Sequence, residues 1–259
     1  MPDLTFYKHN LLVDTQHQNL KNQKAYGADE WTEFIRNQHL VDRKYLQQDI
    51  DYTFNSQGYR TKEIGELDDN FVLVFGCSHT EGIGNFAKDI WCSQLLDSKG
   101  IDFLNLGKAG TGPDVQYFNT LQWIKNSFPR PRLVIYQWPQ DFRRSFVYYN
   151  NSDLVFRHYN VHSKQEKRDT GWYHKRYCTE LGEMTKDGYR DYYSANTLWQ
   201  ALQVPVLNWT WSGDFEKDFE DLHVIETVDT GRARDLMHDG ADIHNQIADK
   251  LSSLIDKLL

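Results

Sequence analysis

The chain has 259 residues and carries 29 lysine and arginine residues against 37 aspartate and glutamate residues, a formal net charge of -8 at pH 7. This acidic balance argues against proteins that hold nucleic acid or anionic membranes by bulk electrostatics. The sequence contains no apolar run near the roughly 20 residues that span a bilayer and begins with no secretory signal pattern, so we expect a cytoplasmic protein with neither nucleic acid nor a membrane as partner.

Residues 1–67 form the first segment, and they fit the pattern of the remaining chain poorly. Within them, the stretch DYTFNSQGYRTKEI predicts an extended or hairpin segment with a turn at residues 56–58. We therefore predict an N-terminal extension over residues 1–67 that packs on a main domain over residues 68–259.

From residue 68 onward, short apolar runs alternate with segments of helical length, which is typical of an α/β fold with a parallel sheet. The predicted strands cover residues 71–75, 103–106, 133–138, 204–211 and 223–228. Helices are predicted near residues 90–96, 115–125 and 196–202, and again over 241–259, where apolar residues recur at helical spacing.

The cysteines and histidines predict neither a disulfide framework nor a metal site. Cys77, Cys92 and Cys178 are odd in number and lack close CxxC spacing, and the histidines form no HExxH or similar pattern. We expect three reduced, packed cysteines and no metal or organic cofactor.

Ser78 follows the first predicted strand within GCSHTEGIG. Because open parallel sheets place ligand sites at the carboxyl ends of their strands, this serine is a candidate nucleophile. Its alternative role is that of a helix N-cap or turn residue. The sequence has neither the GxxxxGK[ST] pattern of a phosphate-binding loop nor the GxSxG elbow of common lipases at this position.

Asp235 and His238 lie three residues apart after the last predicted strand, in GRARDLMHDGADIH. A serine nucleophile needs a histidine that takes its proton and a carboxylate that orients the histidine, and a DxxH turn supplies both. The competing pairing uses His244 with Asp239 or Asp242. We prefer Asp235 with His238, because Asp239 is placed to cap the closing helix and His244 is expected near a solvated side of that helix.

These segments resemble the SGNH or GDSL hydrolases from about residue 71 to the end of the chain. VFGCSHTEGIG is similar to the first block of that family, although Cys77 replaces its usual aspartate, and ARDLMHDGADIHNQIADKL is similar to the last block. FLNLGKAGTG resembles the second block and places Gly110 at an oxyanion position. The third block departs from the family, since WPQD has Gln140 in place of an asparagine.

The resemblance implies a flavodoxin-like, three-layer α/β/α fold and a serine esterase or deacylase that acts on a small-molecule or glycan ester, such as an O-acylated carbohydrate. In that reading Ser78 is the nucleophile, His238 the base and Asp235 its partner. The backbone of Ser78 and Gly110 and the side chain of Gln140 would form the oxyanion hole. An acyltransferase with the same triad and a non-catalytic binding module on a degenerate fold are the alternatives.

Residues 141–193 form a long insertion after the third predicted strand, rich in aromatic and basic residues. Long loops in compact domains are often functional, which predicts a lid that contacts substrate. The alternative is a subdomain or a subunit interface that uses the aromatics for packing. The candidate substrate-binding residues are His79, Arg143, Trp172 and Tyr173.

Overall fold

The structure is a computed structural model that describes residues 39, 45, 49–141, 143–150, 153–159, 181–211, 219 and 221–259. Its centre is a five-stranded parallel sheet in the order β2-β1-β3-β6-β7, and a separate antiparallel hairpin joins β4 to β5. The strands are β1 (Val72–Gly76), β2 (Phe103–Gly107), β3 (Leu133–Gln137), β4 (Arg144–Asn150), β5 (Asp153–Tyr159), β6 (Val206–Thr210) and β7 (Leu222–Val224).

Five α-helices accompany these strands in the described ranges. They are α1 (Ser78–Glu81), α2 (Trp91–Asp97), α3 (Pro113–Lys125), α4 (Leu181–Ala201) and α5 (Ala241–Ile255). Short 3-10 turns cover Ile64–Glu66 and Ala87–Asp89. None of the helices in the described part of the chain is long and apolar enough to cross a membrane.

Alternating side chains of β1 divide the hydrophobic core between the two faces of the sheet. Val72 and Val74 pack with residues of α2 and α5, whereas Leu73 and Phe75 pack with residues of α3 and α4. Every residue of β1 is buried, as expected for a parallel strand covered on both faces. The predicted α/β fold with a five-stranded parallel sheet is thus confirmed, and its two helical layers make it a three-layer α/β/α structure.

The crossover helix α4 begins at Leu181, well before the helix that the sequence predicts near residues 196–202. Its interior Gly188 lies against the backbone of Asp141, where a Cβ atom would approach the Asp141 carbonyl oxygen to 2.7 Å. The insertion predicted over residues 141–193 therefore contains the β4–β5 hairpin and also the first part of a core helix. Tyr192 is 1% exposed and its ring packs at a tilt against that of Trp138, with centroids 4.9 Å apart, so it belongs to the core and not to a lid.

The described part of the N-terminal extension packs beside the sheet, near the segment that follows α1. Tyr45, Ile50, Tyr52 and Phe54 form a small apolar cluster against Phe86 and Leu236. The Tyr52 hydroxyl accepts a hydrogen bond from the Gly84 N–H at 2.9 Å. Residues of the extension thus support the loops at one edge of the sheet.

Two of the three cysteines lie in the described ranges. Cys77 and Cys92 are buried and free, and burial raises the pKa of the Cys92 thiol to about 12. Cys178 lies outside the described residues.

A buried hydroxyl network ties β3 to both helices on one face of the sheet. The Tyr136 hydroxyl accepts a hydrogen bond from Trp199 Nε1 of α4 at 2.7 Å and pairs with the Thr120 hydroxyl of α3. Burial raises the pKa of Tyr136 above its ordinary value, so the phenol is neutral at pH 7. The network leaves none of its three polar groups without a partner.

We predict that Tyr136→Phe lowers the free energy of unfolding by about 1–3 kcal/mol, because it leaves the buried Trp199 N–H without an acceptor. Urea unfolding followed by tryptophan fluorescence measures the loss. Tyr193→Phe is the matched control, since Tyr193 is 55% exposed and should show no change. Equal stability of the two variants would contradict the prediction.

Candidate active site

Ser78 is the first residue of α1 and lies at the carboxyl end of β1. The N-cap residue is Cys77, in extended backbone, and no side chain caps this helix. The Ser78 hydroxyl contacts Cys77 Sγ at 3.6 Å and is not the capping group that the alternative interpretation requires. Its side chain remains available for chemistry at the edge of the sheet.

The carboxamide of Gln137 holds the turn that presents Ser78. Gln137 ends β3, is fully buried, and accepts hydrogen bonds through Oε1 from the Cys77 N–H at 3.0 Å and the Thr80 hydroxyl at 3.1 Å. Asn105 of β2 donates to the Thr80 carbonyl at 2.6 Å. Gln137 is not among the predicted site residues, although a glutamine at the end of an otherwise apolar strand is a signal that could have indicated it.

Asp235 and His238 form the dyad that their spacing predicts. Asp235 Oδ2 pairs with His238 Nδ1, and Asp235 Oδ1 accepts the backbone N–H groups of His238 and Met237 at 3.1 and 3.2 Å. Leu236, between them, has a positive φ of 61°, a conformation that is uncommon outside glycine and that often occurs at functional sites. Because the carboxylate faces Nδ1, that nitrogen carries the proton and Nε2 is left as the base.

The loop that carries the dyad packs against the segment that follows Ser78. The Arg234 N–H donates to the Gly84 carbonyl at 3.1 Å, and the His238 ring meets the His79 ring edge-on with centroids 5.2 Å apart. Among the described residues, no hydrogen bond joins the Ser78 hydroxyl to His238. Catalytic hydrogen bonds of ligand-free enzymes are often long and shorten only when substrate binds.

His79 makes a second histidine–aspartate contact beside the first. Its Nδ1 lies 3.4 Å from Asp239 Oδ2, and its ring packs 4.3 Å from Trp211. Burial lowers the pKa of His79 below its ordinary value, so the imidazole is neutral at pH 7. Arg232 donates to the other oxygen of Asp239 at 2.9 Å. The structure thus brings His79 next to His238, while its predicted contact with substrate stays a prediction.

The loop between β2 and α3 carries the predicted oxyanion residue Gly110. Gly107 allows this loop to approach α1, since a Cβ atom there would lie 2.5 Å from the Glu81 backbone nitrogen. The Lys108 N–H and the Thr111 hydroxyl both donate to the Gly76 carbonyl, at 3.0 and 3.3 Å. Gly110 has a φ of 77°, and its N–H has no protein acceptor among the described residues.

Gln140 and Arg143 share one turn after β3, in which the Arg143 N–H donates to the Gln140 carbonyl at 3.2 Å. Gln140 Oε1 and Arg143 Nε are buried, and neither atom has a hydrogen-bond partner in the part of the chain that the structure describes. The Arg143 carbonyl lies against Gly112, at the end of the Gly110 loop, and the Arg143 charge contributes to the lowered pKa of His79. Trp172 and Tyr173 lie outside the described residues.

His244 is buried, which contradicts the expectation that it lies near a solvated side of the closing helix. Its exposed fraction is 0%, and its Nδ1 accepts the Trp91 backbone N–H at 3.1 Å, where α2 begins. Asp239, its predicted competitor partner, contacts His79 and Arg232 instead. His244 is therefore a structural residue that holds the beginning of α2.

The described residues contain no group of three or more histidine, cysteine or acidic side chains that could hold a metal ion. What the site does contain is a serine at the end of a strand and, in a neighbouring loop, a histidine whose Nδ1 pairs with a buried carboxylate and whose Nε2 has no hydrogen-bond partner among the described residues. This set of groups can perform acyl transfer through a covalent serine ester.

No family model and no curated protein matches the chain. Solved structures with similar folds include a GDSL-like lipase from Bacteroides ovatus (13% identity, 73% of this chain and 53% of that chain, TM-score 0.34). A second is an acetyl xylan esterase from the rumen bacterium Butyrivibrio proteoclasticus (10% identity, 81% of this chain and 66% of that chain, TM-score 0.34). A third is an acylhydrolase from Bacteroides fragilis (13% identity, 76% of this chain and 94% of that chain, TM-score 0.32). The chain thus spans about half and two thirds of the first two proteins.

Proposed function

We propose that the protein is a serine esterase or deacylase that cleaves a small ester through a covalent acyl-enzyme. The observation that carries this proposal is the pairing of Asp235 with His238 in a loop packed against the Ser78 turn. A surface histidine has no need of a buried carboxylate behind it, whereas a general base does, because the carboxylate fixes its tautomer.

In the first half of the reaction, the Ser78 hydroxyl attacks the ester carbonyl while His238 Nε2 takes its proton. The imidazolium that forms is stabilised by Asp235 and then gives the proton to the departing alcohol oxygen. In the second half, His238 deprotonates a water molecule that attacks the acyl carbon. The acid is released, and the proton returns to Ser78.

The negative charge that develops on the carbonyl oxygen needs donors that are already in place. The Ser78 N–H belongs to the first turn of α1 and has no partner within the helix, and the Gly110 N–H has no protein acceptor among the described residues. We assign both to the oxyanion hole, with the Gln140 side chain as the third donor. Such donors each contribute roughly 10²–10³ in rate.

Arg143 is the side chain that we assign to substrate selection. Its Nε is buried and has no hydrogen-bond partner among the described residues. A partly desolvated cation without a carboxylate partner is best satisfied by an anionic group on the ligand. We therefore propose that the ester carries a negative charge near the reacting carbonyl.

Ser78→Ala should abolish hydrolysis of p-nitrophenyl acetate and labelling by a fluorophosphonate probe, because it removes the nucleophile. Peptide mapping of the labelled wild-type protein should find the phosphonate on Ser78. Circular dichroism checks that the variant is folded. Wild-type rates in a folded Ser78→Ala variant would exclude the proposed function.

The two histidines should respond in opposite ways. His238→Ala should lower kcat by about 10³-fold or more at unchanged stability, and Asp235→Asn should act similarly through the wrong tautomer. His244→Ala should instead lower the free energy of unfolding by about 1–3 kcal/mol, because it leaves the Trp91 N–H without its acceptor, and should keep kcat per folded molecule. An inactive, stable His244→Ala variant would overturn this assignment.

Arg143→Gln should raise KM for 4-acetoxybenzoate by about 10-fold or more, since a hydrogen bond to a charged group is worth roughly 1.5–3 kcal/mol. KM for the neutral methyl ester of the same compound should stay within about twofold. Arg130→Gln is the control, because Arg130 is exposed and lies near the amino end of β3. Equal effects of Arg143→Gln on both esters would remove charge recognition from the proposal.

A further inference from the structure

A fully buried ion pair links the α1 helix to the loop that carries Gly110. The side chains of Glu81 and Lys108 are 0% and 1% exposed, and Lys108 Nζ lies 2.5 Å from Glu81 Oε1. Glu81 is the last residue of α1, and Lys108 directly follows β2. The two charges therefore meet between the proposed nucleophile and the proposed oxyanion hole.

Both oxygens of the Glu81 carboxylate are used at this junction. Oε1 pairs with Lys108, and Oε2 accepts the Ala109 backbone N–H at 2.6 Å. Ala109 directly precedes Gly110. One carboxylate on the nucleophile helix thus fixes the peptide next to the proposed oxyanion donor.

The N-terminal extension contacts both residues of the ion pair, through the Lys108 ammonium group and the Glu81 backbone. Lys108 Nζ donates to the Gly58 carbonyl at 3.4 Å and lies 5.0 Å from the centre of the Phe54 ring. Arg60 donates to the carbonyls of Glu81 and Gly82, at 3.4 and 2.7 Å. Both residues of the ion pair are therefore held by the extension, Lys108 through the Gly58 carbonyl and Glu81 through the Arg60 side chain.

Stability alone gives little reason for a pair of charges in this place. Removing two charges from water costs several kcal/mol for each ion, and apolar replacements of buried ion pairs are often neutral or stabilising. Geometry gives a stronger reason, because a misplacement of about 1 Å in a catalytic group can cost 10²-fold in rate. A short charge-assisted hydrogen bond is strong, and it can therefore keep the distance between a nucleophile and an oxyanion donor nearly constant.

We propose that Glu81 and Lys108 are positioning residues that set the distance between Ser78 and the Gly110 N–H. The inference rests on the proposed function and deepens it, since it states how the two halves of the site are kept in register. Neither side chain touches the substrate. Glu81 acts through the Ala109 peptide, and Lys108 acts by holding Glu81.

The test compares two double variants with p-nitrophenyl acetate as substrate. Glu81→Met with Lys108→Met removes both charges and the acceptor for the Ala109 N–H, and should lower kcat about 10- to 100-fold at a KM within about twofold. Glu81→Gln with Lys108→Met restores that acceptor but not the contact with Lys108, and should recover kcat only in part, to about 3- to 10-fold below wild type. A melting temperature within about 5 °C of the wild-type value is expected for the Met pair, because the lost acceptor for the Ala109 N–H offsets the gain from removing two buried charges.

Lys62→Met with Asp102→Asn is the matched control. This ion pair also joins the extension to β2, but at the amino end of the strand, so kcat should not change. Wild-type kcat in the Met pair, or no recovery in the Gln variant, would overturn the proposal. The proposal would also be overturned if neither the Met pair nor a second apolar pair, with Leu at both positions, folds. The ion pair would then serve the stability of the fold.

Fluorophosphonate labelling of the wild-type protein and of Ser78→Ala tests the proposed function independently of the ion pair. Loss of fluorophosphonate labelling in Ser78→Ala, together with wild-type kcat in the Met pair, would retain the function and reject the positioning role. A wild-type protein that the probe does not label would reject both.

Discussion

The hydrogen bonds from Cys77 and Thr80 to the Gln137 carboxamide fix the turn on which the candidate site depends. They join α1 to the carboxyl end of β3, which is the strand next to β1, and so determine where Ser78 points. The Gly110 loop and the dyad loop are then placed relative to α1, through Glu81 and Gly84 respectively. A change at Gln137 would therefore move every group with which Ser78 has to work.

The strands of the sheet could be predicted from the sequence because burial on both faces requires continuous apolar runs. The start of α4 could not. Its first half combines tyrosines with charged residues around Gly188, a residue disfavoured in helices, and only the close contact with Asp141 explains the glycine. The local sequence pattern cannot predict such a contact, because Gly188 and Asp141 are far apart in the chain.

The same distinction holds for the site. Asp235 and His238 are neighbours in sequence, so their spacing alone predicts the pairing that the structure contains. His244 is buried and accepts a hydrogen bond from the Trp91 backbone N–H. Glu81 at the end of α1 pairs with Lys108, which follows β2. Both partners come from distant parts of the chain, and a polar residue looks the same in sequence whether it will be solvated or satisfied internally.

The neutral state of His79 bears directly on the chemistry at His238. In the proposed mechanism His238 would become an imidazolium in the transition state, and its ring centroid lies 5.2 Å from that of His79. Two unit charges at that separation would repel by about 3 kcal/mol at an effective dielectric constant near 20, which corresponds to more than a 100-fold loss of rate. Burial lowers the pKa of His79 and so removes this repulsion. The lowered pKa of His79 therefore favours an uncharged ring next to Ser78, which would spare a protonated His238 a like-charged neighbour.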